Sequence, residues 1–216
     1  MTYDKIKNIL MQQKFIYLLS SDISTEVVKG IYKWHSDLTD IHLFHFFDNR
    51  QMTFENFAER IKKNIDMYLS FFIINNKRNN RPIGYIDSHS YDSLNNIASV
   101  MIFIDKKYRN GMISASTEAG IIFFNYLFQY FPLRKLCADV IAYNRDSYLN
   151  LKSAGCVLES IERKQHFFDG KYYDRYIMGI FREEFYKKLE SIKPLLDYET
   201  IDLKEEGNTM YEKESY

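Results

Sequence analysis

Residues 105–155 read DKKYRNGMISASTEAGIIFFNYLFQYFPLRKLCADVIAYNRDSYLNLKSAG, and this stretch decides the fold. It opens with Lys107-Tyr108-Arg109-Asn110-Gly111 and a serine-bearing turn, then runs into an apolar segment from Ser116 to Tyr130 that stops at Pro132. Proline lacks the N–H that a helix needs and clashes with the preceding turn, so it marks the helix end. Apolar residues on nearly every side of that helix mean that it is covered on nearly every side. Lys135 to Ala142 follows as a strand, Asn144 as the N-cap of a short helix, and Gly155 as its left-handed stop. A turn rich in Gly and Ser that opens a helix directly after a strand gathers backbone N–H groups and a helix N-terminus at one point, and both favour phosphate.

Upstream, Ala98 to Ile104 is a nearly continuous apolar strand, the pattern of a strand covered on both faces. Asn75 to Arg81 and Asp92 to Asn96 are polar turns. They leave Leu69 to Ile74 as a strand and Pro82-Ile83-Gly84-Tyr85-Ile86 as the start of its return. Two amphipathic helices come earlier. Ser24 caps one, with Val27, Val28, Ile31 and Trp34 on a face; Thr53 caps the other, with Phe54, Phe57, Ala58, Ile61 and Ile65. Residues 35–51 read as irregular and Phe15 to Leu19 as a short strand. Downstream, Asp169-Gly170 signals a two-residue hairpin and Tyr172 to Phe181 closes the sheet. Arg182 to Leu196 forms a helix before an acidic, mobile tail from Asp197 to Tyr216. This order predicts a mixed α/β (α+β) fold, a central, mostly antiparallel twisted sheet with helices on both faces. Residues 1–182 make the domain and 183–216 an appended helix and tail.

Composition narrows the function classes. Lys plus Arg equals Asp plus Glu, 29 each, so the chain lacks the basic excess that holds a nucleic-acid backbone. Met1 to Lys14 lacks the apolar centre of a signal peptide. The longest apolar run, Gly120 to Phe131, is broken by Asn125 and Gln129 and is too short to span a bilayer. Cys137 and Cys156 have no metal-ligand spacing and read as two buried thiols. The expectation is a cytoplasmic protein with no metal, no membrane partner and no nucleic-acid partner.

Three segments in this order resemble the acyl-CoA half of the GNAT superfamily of N-acetyltransferases, in particular its Rim-type (ribosomal-protein-alanine acetyltransferase-like) branch. Thr117-Glu118-Ala119 looks like the Thr-Glu-Ala of that branch. It sets the superfamily's pyrophosphate loop, Gln/Arg-x-x-Gly-x-Gly/Ala, on Gly111-Met112-Ile113-Ser114-Ala115-Ser116. Gly111 then stands where a basic residue is usual, and Ser114 and Ser116 stand where Gly is usual; Arg109, just upstream, is the substitute charge. Asp139, Asn144, Ser147 and Gly155 are similar to the branch's spacing of an acid five residues before an Asn, Ser three after it and Gly eleven after it. His166 to Gly179, with Asp174 beyond the Asp169-Gly170 turn, looks like its closing hairpin. The resemblance covers roughly Phe15 to Phe181 and is strong from Ala98 onward.

The resemblance implies transfer of an acetyl group from acetyl-CoA to a primary amine by direct attack. Ile102, Phe103, Ile104, Arg109, the 111–116 loop and Asn144 would hold acetyl-CoA, with Asn144 on the pantetheine arm. A backbone N–H at a splay or bulge near Met101 to Phe103 would hold the oxyanion. The acid tyrosine that many members carry seven residues after this Asn is Leu151 here, which leaves Ser147 as the acid candidate. An amine of pKa about 10.4 arrives protonated, so a base is needed. Asp139, where Rim-type enzymes place a glutamate, is the first choice; Asp87 and His89, on one strand face, are the second. Trp34, His35 and His89 are candidate acceptor contacts, with Asp37, Asp40, His42 and His45 near the first two. No strongly acidic pocket is evident, which favours a peptide N-terminus or amino sugar over a polyamine. Two other readings stay open: a degenerate module that binds acyl-CoA or a protein partner without catalysis, and an acyltransferase for a longer donor. Monomer and homodimer are both compatible.

Overall fold

The computed structural model describes residues 11–12, 16–20, 25–36, 52–65, 68–109 and 115–192. The expectations for the Ser24 cap, residues 37–51, the loop residues Gly111, Met112, Ile113 and Ser114, and the tail from 193 lie outside them. Strands β1 (Met11–Gln12) and β2 (Ile16–Ser20) precede helices α1 (Thr25–His35) and α2 (Phe54–Ile65). Strands β3 (Ser70–Asn76), β4 (Arg81–Asp92) and β5 (Ile97–Ile104) form a meander. A short 3-10 turn, Lys106–Tyr108, comes before helix α3 (Ala115–Tyr130), strand β6 (Lys135–Ile141) and helix α4 (Arg145–Ser153). The hairpin β7 (Val157–Phe168) and β8 (Lys171–Phe181) leads into helix α5 (Arg182–Ile192).

All eight strands join one sheet in the order β1-β2-β3-β4-β5-β6-β8-β7, antiparallel at every junction except β5 with β6. Pleating sorts its side chains onto two faces. Phe72, Ile74, Ile86, Val100 and Ile104 face α3, whose stretch from Glu118 to Asn125 is buried throughout. Ile73, Tyr85 and Phe103 face α1 and α2, meeting Val28, Ile31, Phe57 and Ile61. His35, placed by the sequence reading in an irregular segment, is the last residue of α1 and is buried. It completes the stripe Val28, Ile31, His35, which is the helical i, i+3, i+7 spacing.

Local backbone chemistry sets the joints. Thr53 Oγ1 accepts the Asn56 amide at 3.3 Å and starts α2. Gly155, at φ +101°, ends α4: its amide bonds the Lys152 carbonyl at 3.1 Å, and the Cys156 amide reaches back to Leu151 at 3.0 Å. Those are the two bonds of a Schellman stop, and the positive φ suits glycine. Asp169 and Gly170, at φ 49° and 72°, form the β7–β8 turn.

The hairpin corrects one expectation. The second strand, β8, does not close the sheet; it inserts beside β6 and leaves β7 as the edge. Burial explains the order: Met178, Gly179 and Ile180 of β8 are buried, whereas β7 is exposed along most of its length. Helix α5 packs Phe185 (1% exposed) and Leu189 into the same core as α3. Arg182 joins the two helices by donating to the carbonyls of Phe128, Phe131 and Leu133 at the end of α3. Among the described residues, no helix is long and apolar enough to cross a membrane.

Candidate active site

The parallel ladder between β5 and β6 holds only three residue pairs, Ile97–Lys135, Ala98–Leu136 and Ser99–Cys137. Both strands then run on, to Ile104 and Ile141, and the sheet splits between them. The split opens a cavity of about 330 Å³ walled by Val100 to Ile104 on one side and Ala138 to Ile141 on the other. Alternate N–H and C=O groups along the inner edges, released from the ladder, face that space. The splay expected near Met101 to Phe103 is this one.

Helices α3 and α4 close the cavity. Ala115 and Ser116, expected in the phosphate loop, form the first turn of α3 instead, and Ser116 lines the cavity. Gly120, one turn on, lets α3 lie close to β5: an added Cβ would sit 3.3 Å from Ile102 Cδ1. Asn144 caps α4 as expected, its side-chain oxygen accepting the Ser147 amide at 3.2 Å. Thr117 of α3 donates to Asn150 of α4 at 3.2 Å and ties the two helix starts together. Arg109 folds back on the end of β5, donating from Nε to the Ile104 carbonyl at 2.8 Å with its guanidinium 5.8 Å from the Phe103 ring centre. Ile102, Phe103, Ile104, Arg109, Ser116 and Asn144 therefore all line one cavity, together with Asp139 and Ser147.

Asp139 is not isolated in that wall. Its Oδ2 lies 3.4 Å from Arg175 Nη1 on β8, and the same guanidinium holds Glu162 of β7 at 2.5 Å. The network spans β6, β8 and β7 and fixes the orientation of the carboxylate.

The other face of β4 and β5 carries an aromatic layer under α1. Trp34 lies 5.3 Å from Phe103 and donates from Nε1 to Asp105 Oδ2 at 3.2 Å. Tyr85 stacks between Phe71 and Phe103, and its hydroxyl bonds His35 Nε2 at 2.8 Å. Burial holds the His35 imidazole down at about 4, so it is neutral at pH 7. Two residues along β4, Asp87 has no exposed surface and its Oδ1 lies 2.8 Å from His89 Nδ1. Burial raises the Asp87 carboxyl above its ordinary value, against the pull of the His89 hydrogen bond. Trp34, His35, Asp87 and His89 thus lie behind the Phe103–Met101 wall and not in the cavity lining.

Sequence reasoning missed Tyr143 and Asn150 in the lining, and Arg175 behind it. Asn150 had a signal, six residues beyond its helix cap and on the same side as Ser147. Arg175 had none, because strand register alone brings it to Asp139.

No protein-family model matches the sequence, and no curated protein matches it. Solved structures do. The spermidine N-acetyltransferase of Vibrio cholerae, in complex with CoA and spermine, aligns with a TM-score of 0.69 at 16% identity, covering 79% of this chain and 98% of its own. A GNAT-family acetyltransferase from Bacillus anthracis aligns at 0.67 and 18%, covering 81% and 99%. RimL, the ribosomal L7/L12 α-N-protein acetyltransferase, in complex with CoA, aligns at 0.68 and 12%, covering 80% and 98%. At such identities the likeness is one of backbone, and it spans nearly the whole of each neighbour. A sheet with one parallel junction split over a helix-walled cavity, in a backbone that matches these structures over about four-fifths of this chain, gives the chain the fold of the GNAT acetyltransferases.

Proposed function

We propose that the chain is an N-acetyltransferase that moves an acetyl group from acetyl-CoA to a primary amine, in the cytoplasm. The observation that carries the reading is the split after Ser99 and Cys137, because it leaves strand-edge backbone groups facing a cavity between two helix starts. A pantetheine arm is an extended chain with amide groups. The inner edge of β5 can pair with it as a missing strand would, while the first turn of α3 offers amides to a phosphate. The split-edge N–H groups then stand where the thioester oxygen gains negative charge. Asn144 would contact the arm at the mouth of α4, and Ser147 would return a proton to the departing thiolate. The CoA bound in the spermidine acetyltransferase and RimL structures supports the donor, and their amine and protein acceptors support the acceptor class.

Titration calorimetry with acetyl-CoA and CoA tests the reading. Micromolar binding of both is expected, weakened at least tenfold in Asn144→Asp, which keeps a capping oxygen but places a negative charge in the cavity. Absence of binding by the wild-type chain would overturn the proposal.

A further inference from the structure

The cavity changes character along its length. Strands β5 and β6 run parallel away from their last shared rung, Ser99–Cys137, so the apex of the split lies at Val100 and Ala138 and its mouth at Ile104 and Ile141. Arg109, Ser116 and Asn144 to Ser147 follow the strand ends and give the mouth its polar groups. Asn150 stands beside Thr117 at the start of α3. Because β5 and β6 are parallel, the crossover helix α3 runs back from mouth to apex. Its Gly120 lies against Ile102, where an added Cβ would sit 3.3 Å from Cδ1. Four residues on, a rise of about 6 Å brings Phe124 abreast of Val100, which is two strand residues, about 6.6 Å, back from Ile102. Helix α4 ends at the same level, since Val157 just beyond it pairs with Gly179, and Gly179 with Cys137.

The apex is apolar on its helix side. Val100, Phe124, Ala138, Leu151 and Ala154 line the cavity and belong to the buried core. Met101 and Asp139 sit at the intervening strand positions, which alternation turns to the opposite face, where Arg175 holds Asp139. Phe124 has no exposed surface. Phe185 of α5, which does not line the cavity, meets its ring edge-on with centres 6.1 Å apart. Phe124 thus divides the cavity from the core under α5.

We infer that the apex is the acyl pocket of the donor and that Phe124 is a specificity-determining residue, the stop that limits the acyl chain to a short one. The inference rests on the acetyltransferase reading above. A donor anchored by its phosphates at the helix starts carries its acyl group at the far end, which places that group at the apex. The side chains there offer a polar or charged acyl group no partner, and burying one unpaired is costly. Carbons beyond the acetyl methyl press on the Phe124 ring, and a close-packed core does not yield to added volume without cost. The donor class that fits is a short, unbranched, uncharged acyl-CoA.

Titration calorimetry of the full chain with CoA, acetyl-CoA and butyryl-CoA tests this without any acceptor. Wild-type protein should bind butyryl-CoA roughly tenfold or more weakly than acetyl-CoA. Phe124→Leu should narrow that ratio by roughly tenfold, since each methylene newly buried is worth about fourfold, and should leave affinity for CoA itself within about twofold. Phe128→Leu is the control. Phe128 meets Phe185 at 5.5 Å, one turn further along α3, but does not line the cavity, so the same truncation in the same core should leave the ratio within about twofold. If Phe124→Leu does not fold, Phe124→Met, whose flexible chain can move aside, should narrow the ratio about threefold. Equal wild-type affinity for acetyl-CoA and butyryl-CoA, an unchanged ratio in the Phe124 variant, or an equal change in Phe128→Leu would each overturn the inference. Failure of the wild-type chain to bind CoA overturns the acetyltransferase reading itself, whereas CoA binding without the Phe124 effect overturns only the acyl stop.

Discussion

On the β4–β5 side of the split, Tyr85, Phe103 and Ile104 are buried, and a Cβ on Gly84 would overlap the Phe103 carbonyl oxygen. On the β6–β8–β7 side, Arg175 holds Asp139 and Glu162, Lys135 holds Glu159, and Val157, Leu158 and Ile161 are exposed. The first wall is packed against aromatic side chains and two helices, with backbone pressed on backbone. The second packs one face into the core through Leu136, Val140, Met178 and Ile180, and its outer face is laced by partly exposed ion pairs whose long side chains can move. Tight packing transmits any added volume to the backbone, whereas flexible side chains absorb it. The wall with no slack carries the hydrogen-bonded Asp87–His89 pair, and the compliant wall carries α4 and its cap.

The largest test of that contrast is Gly84→Ala. The obstructing atoms are backbone, so β4 must move away from β5, and a loss on the order of 4 kcal/mol is expected in urea unfolding at unchanged slope. A loss below about 1 kcal/mol would show the wall to be as compliant as its partner. Next in size is an acid effect confined to the packed side. Burial holds the imidazole of His35, 6% exposed, down at about 4 in the folded protein, against an ordinary 6.5. As pH falls the unfolded chain takes this proton first, so the stabilisation is complete above pH 6.5 and is lost progressively down to about 4. The total is about 3 kcal/mol. His35→Gln, which can still bond the Tyr85 hydroxyl, should flatten the stability profile across that window. A flat wild-type profile would mean that the imidazole is solvated in the folded protein. The smallest effect belongs to Gly179→Ala on the compliant side. The new Cβ would meet the Glu159 carboxylate at 2.6 Å and Lys135 Cε at 2.8 Å, both near the ends of mobile side chains. Thermal unfolding should record a cost under about 1 kcal/mol. A cost near that of Gly84→Ala would erase the distinction.

What the sequence disclosed follows the same division between local and distant causes. The Asn144 cap, the Gly155 stop and the Asp169-Gly170 turn each depend on a backbone device that one or two residues specify, and all three stand where they were expected. The buried run of α3 was legible from its apolar content on every side. The place of β8 was not, because a hairpin signal says that two strands pair and not which one meets β6. The Asp139–Arg175–Glu162 network joins residues brought together by register across three strands, and no periodicity announces it. For Asp87 and His89, alternation along β4 showed that they share a face. The complete burial of Asp87 depends on how the first two helices lie over that face, which the sequence does not spell out.

Three rungs are all that join the two halves of the sheet. In mechanical terms the molecule is a five-stranded plate and a three-stranded plate sharing a short spine. Any ligand that enters the gap acts as a splint as well as a guest, since it supplies rungs that the strands themselves do not make. Occupancy should therefore slow amide exchange at Val100–Ile104 and Ala138–Ile141 together, because both plates stiffen when the gap between them is bridged.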